Sequence, residues 1–383
     1  MNSAETSADA ARPATGKRLG ILVAFSGTGG VEAGILNLLP AFLDTGIDID
    51  LLGVFKTGIP DRLKLPHPRL RIVDLGVRHT HLILPALVRY LRAEPPSVLL
   101  VAKDRAIRMA VLARRLSGAR VRLVGQLNTH LSAALAGKSA LQRWWRTFPM
   151  RWFYPHVELV VAVSQGVAED THRLTGLPPD RLPVIRNPVI SPAMFEKAGE
   201  PVNHPWFADG AVPVIISAGR LTVQKDFGTL IRAFALLRND RECRLAILGG
   251  GPERQKLESL AAELGLTQEV AFPGHVDNPY AWMAKAALFV LSSRWEGSGN
   301  VLTEAMALGI PGVSTDCPSG PAEMLADGKY GPLVPVGDVA ALADAMARAL
   351  AHHPEPAALR EAVAEYTVAH SARRYLEVLG LAG

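Results

Sequence analysis

Between Ser292 and Met324 the chain reads SSRWEGSGNVLTEAMALGIPGVSTDCPSGPAEM, a stretch that admits few folds. The run before it, AKAALFVLS, is apolar and has strand character, and a loop with Gly297 and Gly299 follows. Asn300 to Leu308 is rich in the helix formers Leu, Glu, Ala and Met. Gly309 stands at the helix stop, Pro311 lies just beyond, and a second apolar run spans Ile310 to Ser314. Strand, glycine loop, helix and strand form a βαβ unit, whose strands run parallel. Its loop opens at the carboxyl end of the first strand, the side on which open α/β sheets bind ligands.

The chemistry of that loop follows from its residues. The amides of Gly299, Asn300 and Val301 are expected as helix-start donors, and with the helix dipole they suit a diphosphate. Glu296 at the mouth and Glu304 one turn into the helix are poor phosphate neighbours but good acceptors for sugar hydroxyls. An anion cradle between two such acceptors reads as a site for a sugar joined to a phosphate. The same residues also fit a plain helix with a solvated Glu304 and with Glu296 in a turn.

The rest of the chain repeats the pattern. Leu19 to Phe25 is a buried-strand run that leads through Ser26-Gly27-Thr28-Gly29-Gly30 into a helix from about Glu32 to Leu43. Glu32 occupies the third glycine position of the dinucleotide fingerprint, which disfavours a nicotinamide or flavin site. Gly29 and Gly30 either face an acceptor or phosphate or only allow close strand–helix packing. Further strand runs are expected at 48–55, 71–74, 97–102, 120–125 and 159–164, with helices between, so the sheet is parallel and covered on both faces. His130 follows the strand ending at Gly125 and is placed towards the ligand cleft; a lone histidine is otherwise structural or solvated.

A second α/β half begins after a proline-rich linker at 192–213. Val214 to Ser217 leads into Ala218-Gly219-Arg220-Leu221-Thr222-Val223-Gln224-Lys225-Asp226, where Arg220 and Lys225 suit phosphate oxygens, or form a solvated basic loop. The next strand ends in Gly249, Gly250 and Gly251, and another in Gly274, His275 and Val276, turns at which a base or ribose can approach the backbone. The length of 383 residues suits two domains. Cys243 and Cys317 give no disulfide framework, which fits a reducing cytoplasm. The net charge of +5 favours anionic partners. No apolar run is long enough for a transmembrane helix, and residues 1–17 lack a signal-peptide core and read as a disordered tail.

Residues 139–154, SALQRWWRTFPMRWFY, interleave arginines with aromatics. Arg143, Trp144, Trp145 and Arg146 suit an anionic membrane surface, and Pro149 is expected to interrupt any long helix. The competing reading is a core helix with inward rings and solvated arginines.

Taken together, the run Ser217-Ala218-Gly219-Arg220…Lys225-Asp226, then Gly249-Gly250-Gly251-Pro252, Gly274-His275-Val276 and Glu296…Glu304-Ala305-Met306-Ala307 resembles the retaining glycosyltransferases of the GT-B fold, family four. The resemblance covers residues 18–380. It implies α/β architecture with two Rossmann-like parallel-sheet domains facing across a cleft. Residues 18–200 would bind the acceptor, residues 201–365 the nucleotide sugar, and a C-terminal helix at 366–383 would pack back on the first domain. Arg220 and Lys225 would neutralise the donor diphosphate with the amides of Asn300 and Val301. Glu304 would hold the ribose, Glu296 and His130 would lie by the transferred sugar, and Gly249–Gly251 with His275–Val276 would frame the base. Gly29 and Gly30 would lie near the acceptor or phosphate. No metal and no cofactor beyond the nucleotide-sugar donor is implied, nor nucleic acid. The acceptor would be a glycan or lipid-linked sugar, the latter favoured by the basic–aromatic stretch at 139–154, which also suits a cytoplasmic protein peripheral on the inner membrane face. Ser314 to Pro321 resembles members that build bacterial surface polysaccharides. Trp295 and Ser298 depart from the usual glutamate loop. An epimerase on the same fold, and a non-catalytic sugar- or solute-binding protein, are the alternatives.

Overall fold

Strands that are apolar throughout need cover on both faces, and here each finds it. The structure, a computed structural model, describes residues 17–25, 29–55, 63, 67–77, 79–207 and 212–382. The expected tail up to residue 16, and Ser26, Gly27 and Thr28 of the first glycine turn, lie outside these. β1 (Arg18–Phe25), β2 (Asp48–Phe55), β3 (Leu70–Asp74), β4 (Val98–Ala102), β5 (Arg122–Leu127) and β6 (Leu159–Ala162) form a parallel sheet in the order β3-β2-β1-β4-β5-β6. β7 (Val214–Ala218), β8 (Arg244–Leu248), β9 (Val270–Gly274), β10 (Leu288–Leu291), β11 (Gly312–Thr315) and β12 (Leu333–Val334) form a second, in the order β12-β11-β10-β7-β8-β9. The expected pair of Rossmann-like domains is therefore present.

Period two explains the burial. In β1, Leu19, Ile21, Val23 and Phe25 enter one apolar cluster and Leu22 enters the other. In each sheet the strand order reverses once, between β1 and β4 and between β7 and β10. Connections diverge to opposite faces there and leave a crevice at the strands' carboxyl ends. Gly29, Gly30 and Lys103 lie at the first crevice, and loops 219–226 and 292–299 lie at the second.

The edges differ from expectation for local reasons. β5 runs on to Leu127, so Gln126 and Leu127 are ladder residues, paired with Ala102 and Ala162. The segment expected as a linker begins with a helix, Pro192–Ala198, whose Met194 joins Val189 and Ile190 in the second domain's core. The chain thus crosses between domains upstream of residue 200, around Arg186–Ile190. There the Val189 and Ile190 amides donate to the Tyr366 carbonyl, tying the outgoing pass to the returning one. The outermost strand of the second sheet, β12, is only two residues long. Pro149 does not interrupt its helix, which is continuous from Ala140 to Phe153 and starts from a Ser139–Gln142 capping box. Proline removes one helical hydrogen bond there, on a segment open to solvent.

The last helix, Val368–Leu379, returns to the first domain and buries Ala372, Tyr375, Leu376 and Leu379 there. The Tyr375 ring meets Phe42 edge-on at 6.4 Å. Tyr375→Ala leaves an aromatic-sized void and is expected to cost about 3 kcal/mol. Urea denaturation checks this, and an unchanged midpoint contradicts it.

Candidate active site

The second crevice is built by two loops that zip together. Arg294 N–H donates to the Gln224 carbonyl (2.8 Å), Gln224 Nε2 donates to the Trp295 carbonyl (2.9 Å), and Ser292 Oγ donates to the Lys225 carbonyl (2.8 Å). Arg294 also pairs with Asp226 at 3.0 Å. These bonds set Lys225 against Glu296, Nζ to Oε1 at 2.6 Å, with Ser293 Oγ donating to the same oxygen at 2.5 Å. The Glu296 side chain is only 8% exposed. Arg220 shares the Lys225 loop but is exposed, with no carboxylate partner among the described residues.

The helix Asn300–Ala307 starts at this pair. Gly299 caps it at φ 82°, a left-handed conformation that favours glycine. Leu302 and Thr303 amides take the Gly299 carbonyl, whereas those of Asn300 and Val301 have no backbone acceptor among the described residues. One turn on, Glu304 is half-buried, and its carboxyl is pushed up to about 7. Burial is the main cause; the Lys225 charge and a hydrogen bond with Tyr280 oppose it.

The first domain closes on these loops. An added Cβ at Gly297 would lie 2.0 Å from the Asn128 carbonyl oxygen, so the glutamate loop touches backbone across the cleft. Ser164 Oγ donates to the Gly297 carbonyl at 2.6 Å. Asn128 Nδ2 donates to Asn187 Oδ1 (3.2 Å), and Asn187 Nδ2 to Asn300 Oδ1 (2.8 Å), a chain of amides spanning both domains. Gly30 faces the other side of Asn300, where an added Cβ would lie 3.1 Å from Nδ2. Glu323 accepts from the Gln165 and Gly166 amides (2.8 and 2.9 Å) and from Arg186. Burial alone would raise the Glu323 carboxyl, but these bonds outweigh it and hold it below the usual range.

His130 is buried beside this boundary. Its Nδ1 accepts from the Ala133 amide at 3.2 Å and caps the short helix Leu131–Ala134, with Asp170 at 3.4 Å. An accepting Nδ1 leaves the neutral ring's proton on Nε2. The other glycines divide. Gly249 and Gly251 are demanded by backbone, since an added Cβ would meet the Gly219 carbonyl oxygen at 2.1 Å and the Leu221 carbonyl oxygen at 2.4 Å. Their first use is thus loop packing, while Gly250 faces open space. His275 is exposed and Val276 half-buried at the same sheet end. Among the described residues, no three His, Cys, Asp or Glu side chains gather to hold a metal.

Arg146 departs from its expected place on an exposed surface. It binds the buried Asp104 at 2.6 Å, alongside Arg108 and the Tyr154 hydroxyl. Arg143, Trp144 and Trp145 are exposed, so the rings do not face the core.

Two family models meet on this chain: Glycosyltransferase Family 4 matches residues 28–190, and Glycosyl transferases group 1 matches residues 205–366. The chain belongs to the group 1 glycosyltransferases of GT-B fold. This glycosyltransferase is 29% identical over 348 residues to the lipopolysaccharide core biosynthesis glycosyltransferase LpsE of Rhizobium meliloti, covering 89% of this chain and 90% of that one. It is 35% identical over 183 residues to the N-acetylgalactosamine-N,N'-diacetylbacillosaminyl-diphospho-undecaprenol 4-alpha-N-acetylgalactosaminyltransferase of Campylobacter jejuni. That match spans about half of either protein, 48% of each. Among solved structures, the lipopolysaccharide outer core galactosyltransferase WaaB in its apo form superposes with a TM-score of 0.71 at 21% identity, covering 95% of this chain and 99% of that one. Anabaena HepE in complex with UDP-glucose gives 0.71 at 18%, with the same coverage. At such identities the structural likeness speaks for the fold alone.

Several partners of this glycosyltransferase's cleft were not singled out from the sequence. Ser293 and Tyr280 carry no motif of their own. Lys103 offered a signal, a cation at a strand's carboxyl end; it sits at φ 76° and pairs with the buried Glu32 at 2.8 Å. Glu304 provides a test. Its folded value lies above the ordinary carboxylate value of 4.5, so its contribution to stability is full below 4.5 and lost as pH rises through about 7. Without ligand, Glu304→Gln should therefore melt higher than the parent above pH 7, the gap opening between pH 4.5 and 7. Equal melting temperatures across a scanning-fluorimetry pH series contradict this.

Proposed function

We propose that this glycosyltransferase is retaining and metal-independent, and moves a sugar from a UDP- or GDP-linked donor to a glycan or lipid-linked acceptor in surface polysaccharide and glycoconjugate biosynthesis. The observation that carries this is the Lys225–Glu296 pair, set at a sheet's switch point beside the open amides of Asn300 and Val301. The names of the relatives support the pathway class: one is named for lipopolysaccharide core synthesis, another for a diphospho-undecaprenol acceptor. A solved neighbour holds UDP-glucose. A nucleotide-sugar donor fits a cytoplasmic location.

In this reading the diphosphate lies against the Asn300 and Val301 amides, with the Lys225 ammonium and the Arg220 guanidinium on its oxygens. Negative charge grows there as the glycosidic bond to phosphate lengthens, and stabilising it is the protein's largest contribution. The anomeric carbon becomes positive meanwhile, and the buried Glu296 carboxylate lies beside it. The acceptor hydroxyl attacks from the face of the departing phosphate. Its oxygen bonds to the anomeric carbon, its proton passes to the leaving phosphate oxygen, and the configuration is kept. Glu304 accepts the ribose hydroxyls, Gly250, His275 and Val276 border the base, and the His130 Nε2–H donates to a hydroxyl of the sugar. Gly30 leaves room for the acceptor beside Asn300, whereas Gly29 lies against the Glu32 carboxylate.

A charge-assisted hydrogen bond contributes about 1.5–3 kcal/mol, or roughly ten- to a hundredfold in rate. Arg220→Ala and Lys225→Ala should each lower turnover by about that factor, and near-parental turnover in either removes that residue's role. Glu304→Ala should weaken donor binding by calorimetry more than it lowers turnover at saturating donor. A thermal-shift screen of UDP, GDP and their sugars identifies the donor, and stabilisation by neither contradicts the donor class. Proton NMR of the product reads the anomeric configuration: inversion contradicts retention. Loss of activity on chelation contradicts metal independence.

A further inference from the structure

The helix Ala140–Phe153 is amphipathic in the reverse sense. Leu141, Trp144, Trp145, Phe148 and Trp152 fall on one helical stripe and are 65, 48, 66, 40 and 68% exposed. Met150 is buried on the opposite side, and Arg146 is tied down to Asp104 there. The exposed rings touch one another. Trp144 stacks on Phe148 at 4.6 Å and meets Trp145 edge-on at 5.2 Å, and Phe148 lies 6.4 Å from Trp152. A row of three tryptophans and a phenylalanine left bare is larger than scattered surface apolar residues explain.

The charge around it is one-sided. Residues 105–157 hold nine arginines and Lys138 and no Asp or Glu, whereas the whole chain carries a net charge of only +5. Lys138 and Arg143 are exposed at the helix's start. At its far end Arg115 is exposed and reaches His156 at 2.6 Å. Asp104 and Glu158 bound this span; Asp104 is buried against Arg108 and Arg146 at 2.6 Å, and Glu158 is paired with Arg114 at 2.7 Å.

We infer that this face docks the protein on an anionic lipid bilayer, its tryptophans at headgroup level and its basic groups against lipid phosphates. No helix among the described residues is long and apolar enough to cross a membrane, so the contact is interfacial. A second copy of this chain fits poorly, because two such faces would set arginines against arginines. The face also begins at the cleft: His130 caps the short helix that leads into it. Docking there would bring the first domain's side of the cleft to the bilayer, and in this the inference deepens the lipid-linked part of the reading above.

Flotation of the full chain tests it, with vesicles of phosphatidylcholine alone and of phosphatidylcholine mixed with phosphatidylglycerol. Binding to the mixed vesicles is expected, with a loss of about tenfold or more in Trp145→Ser/Trp152→Ser. Lys138→Gln/Arg143→Gln, away from any buried contact, should weaken binding to the mixed vesicles and make what remains less sensitive to salt, whereas the aromatic variant keeps the parental salt sensitivity. Unchanged melting temperatures show that the exposed substitutions leave the fold intact. No binding to mixed vesicles, parental binding by the tryptophan variant, or a dimer that the variant dissociates would each overturn the inference. The assay contains no donor or acceptor, so its failure leaves the transfer assays standing.

Discussion

A parallel sheet whose strand order reverses leaves one gap that its own connections cannot fill. This chain makes that gap twice and sets the two face to face. The positions of the charged groups follow from that constraint. Lys225 stands in the loop after β7, Glu296 in the loop after β10, and these two strands flank the reversal in the second sheet. An ammonium and a carboxylate 2.6 Å apart with little solvent cost too much to be left uncompensated, so Ser293 and the zipped loops hold them. The helix start at Gly299 adds oriented amides to the same spot at no further cost in ordering.

The contacts between the domains use atoms that leave space. Gly297 meets Asn128 through backbone, Gly30 faces Asn300 without a side chain, and the three asparagines exchange amide hydrogen bonds. Larger side chains at these points would hold the walls apart or fill the crevice. Charge is confined to the margin, where Glu323 binds Arg186 and two helix-start amides. The apolar crossover through Val189 and Ile190 and the returning helix at Val368–Leu379 supply the cohesion instead.

Much of the architecture was legible because parallel strands are buried on both faces and so stand out as unbroken apolar runs. β2 could be read to the residue, its two aspartates notwithstanding. Boundaries failed where tertiary context overruled local signals. Pro192 reads as a linker residue, yet it starts a helix, because proline suits a first helical turn and Met194 has a core to enter. Pro149 reads as a break but costs one bond on an open face. At the site, Arg220, Lys225, Glu296 and Glu304 were visible as charged groups beside glycine turns. Asn128, Asn187, Tyr280 and Ser293 were not, since their partners lie far away in sequence. Gly249 and Gly251 were visible as glycines, though backbone packing against Gly219 and Leu221 is what excludes a side chain there.

The central claim is that the second sheet's switch point receives a nucleoside diphosphate. A crystal structure with UDP or GDP bound tests it most directly. The account predicts the diphosphate within hydrogen-bond distance of the Asn300 and Val301 amides, with Lys225 Nζ drawn from Glu296 towards its oxygens and the ribose hydroxyls on Glu304. A nucleotide seated instead at the first sheet's crevice, against Gly29, Gly30 and Lys103, with the Lys225–Glu296 pair untouched, would contradict it.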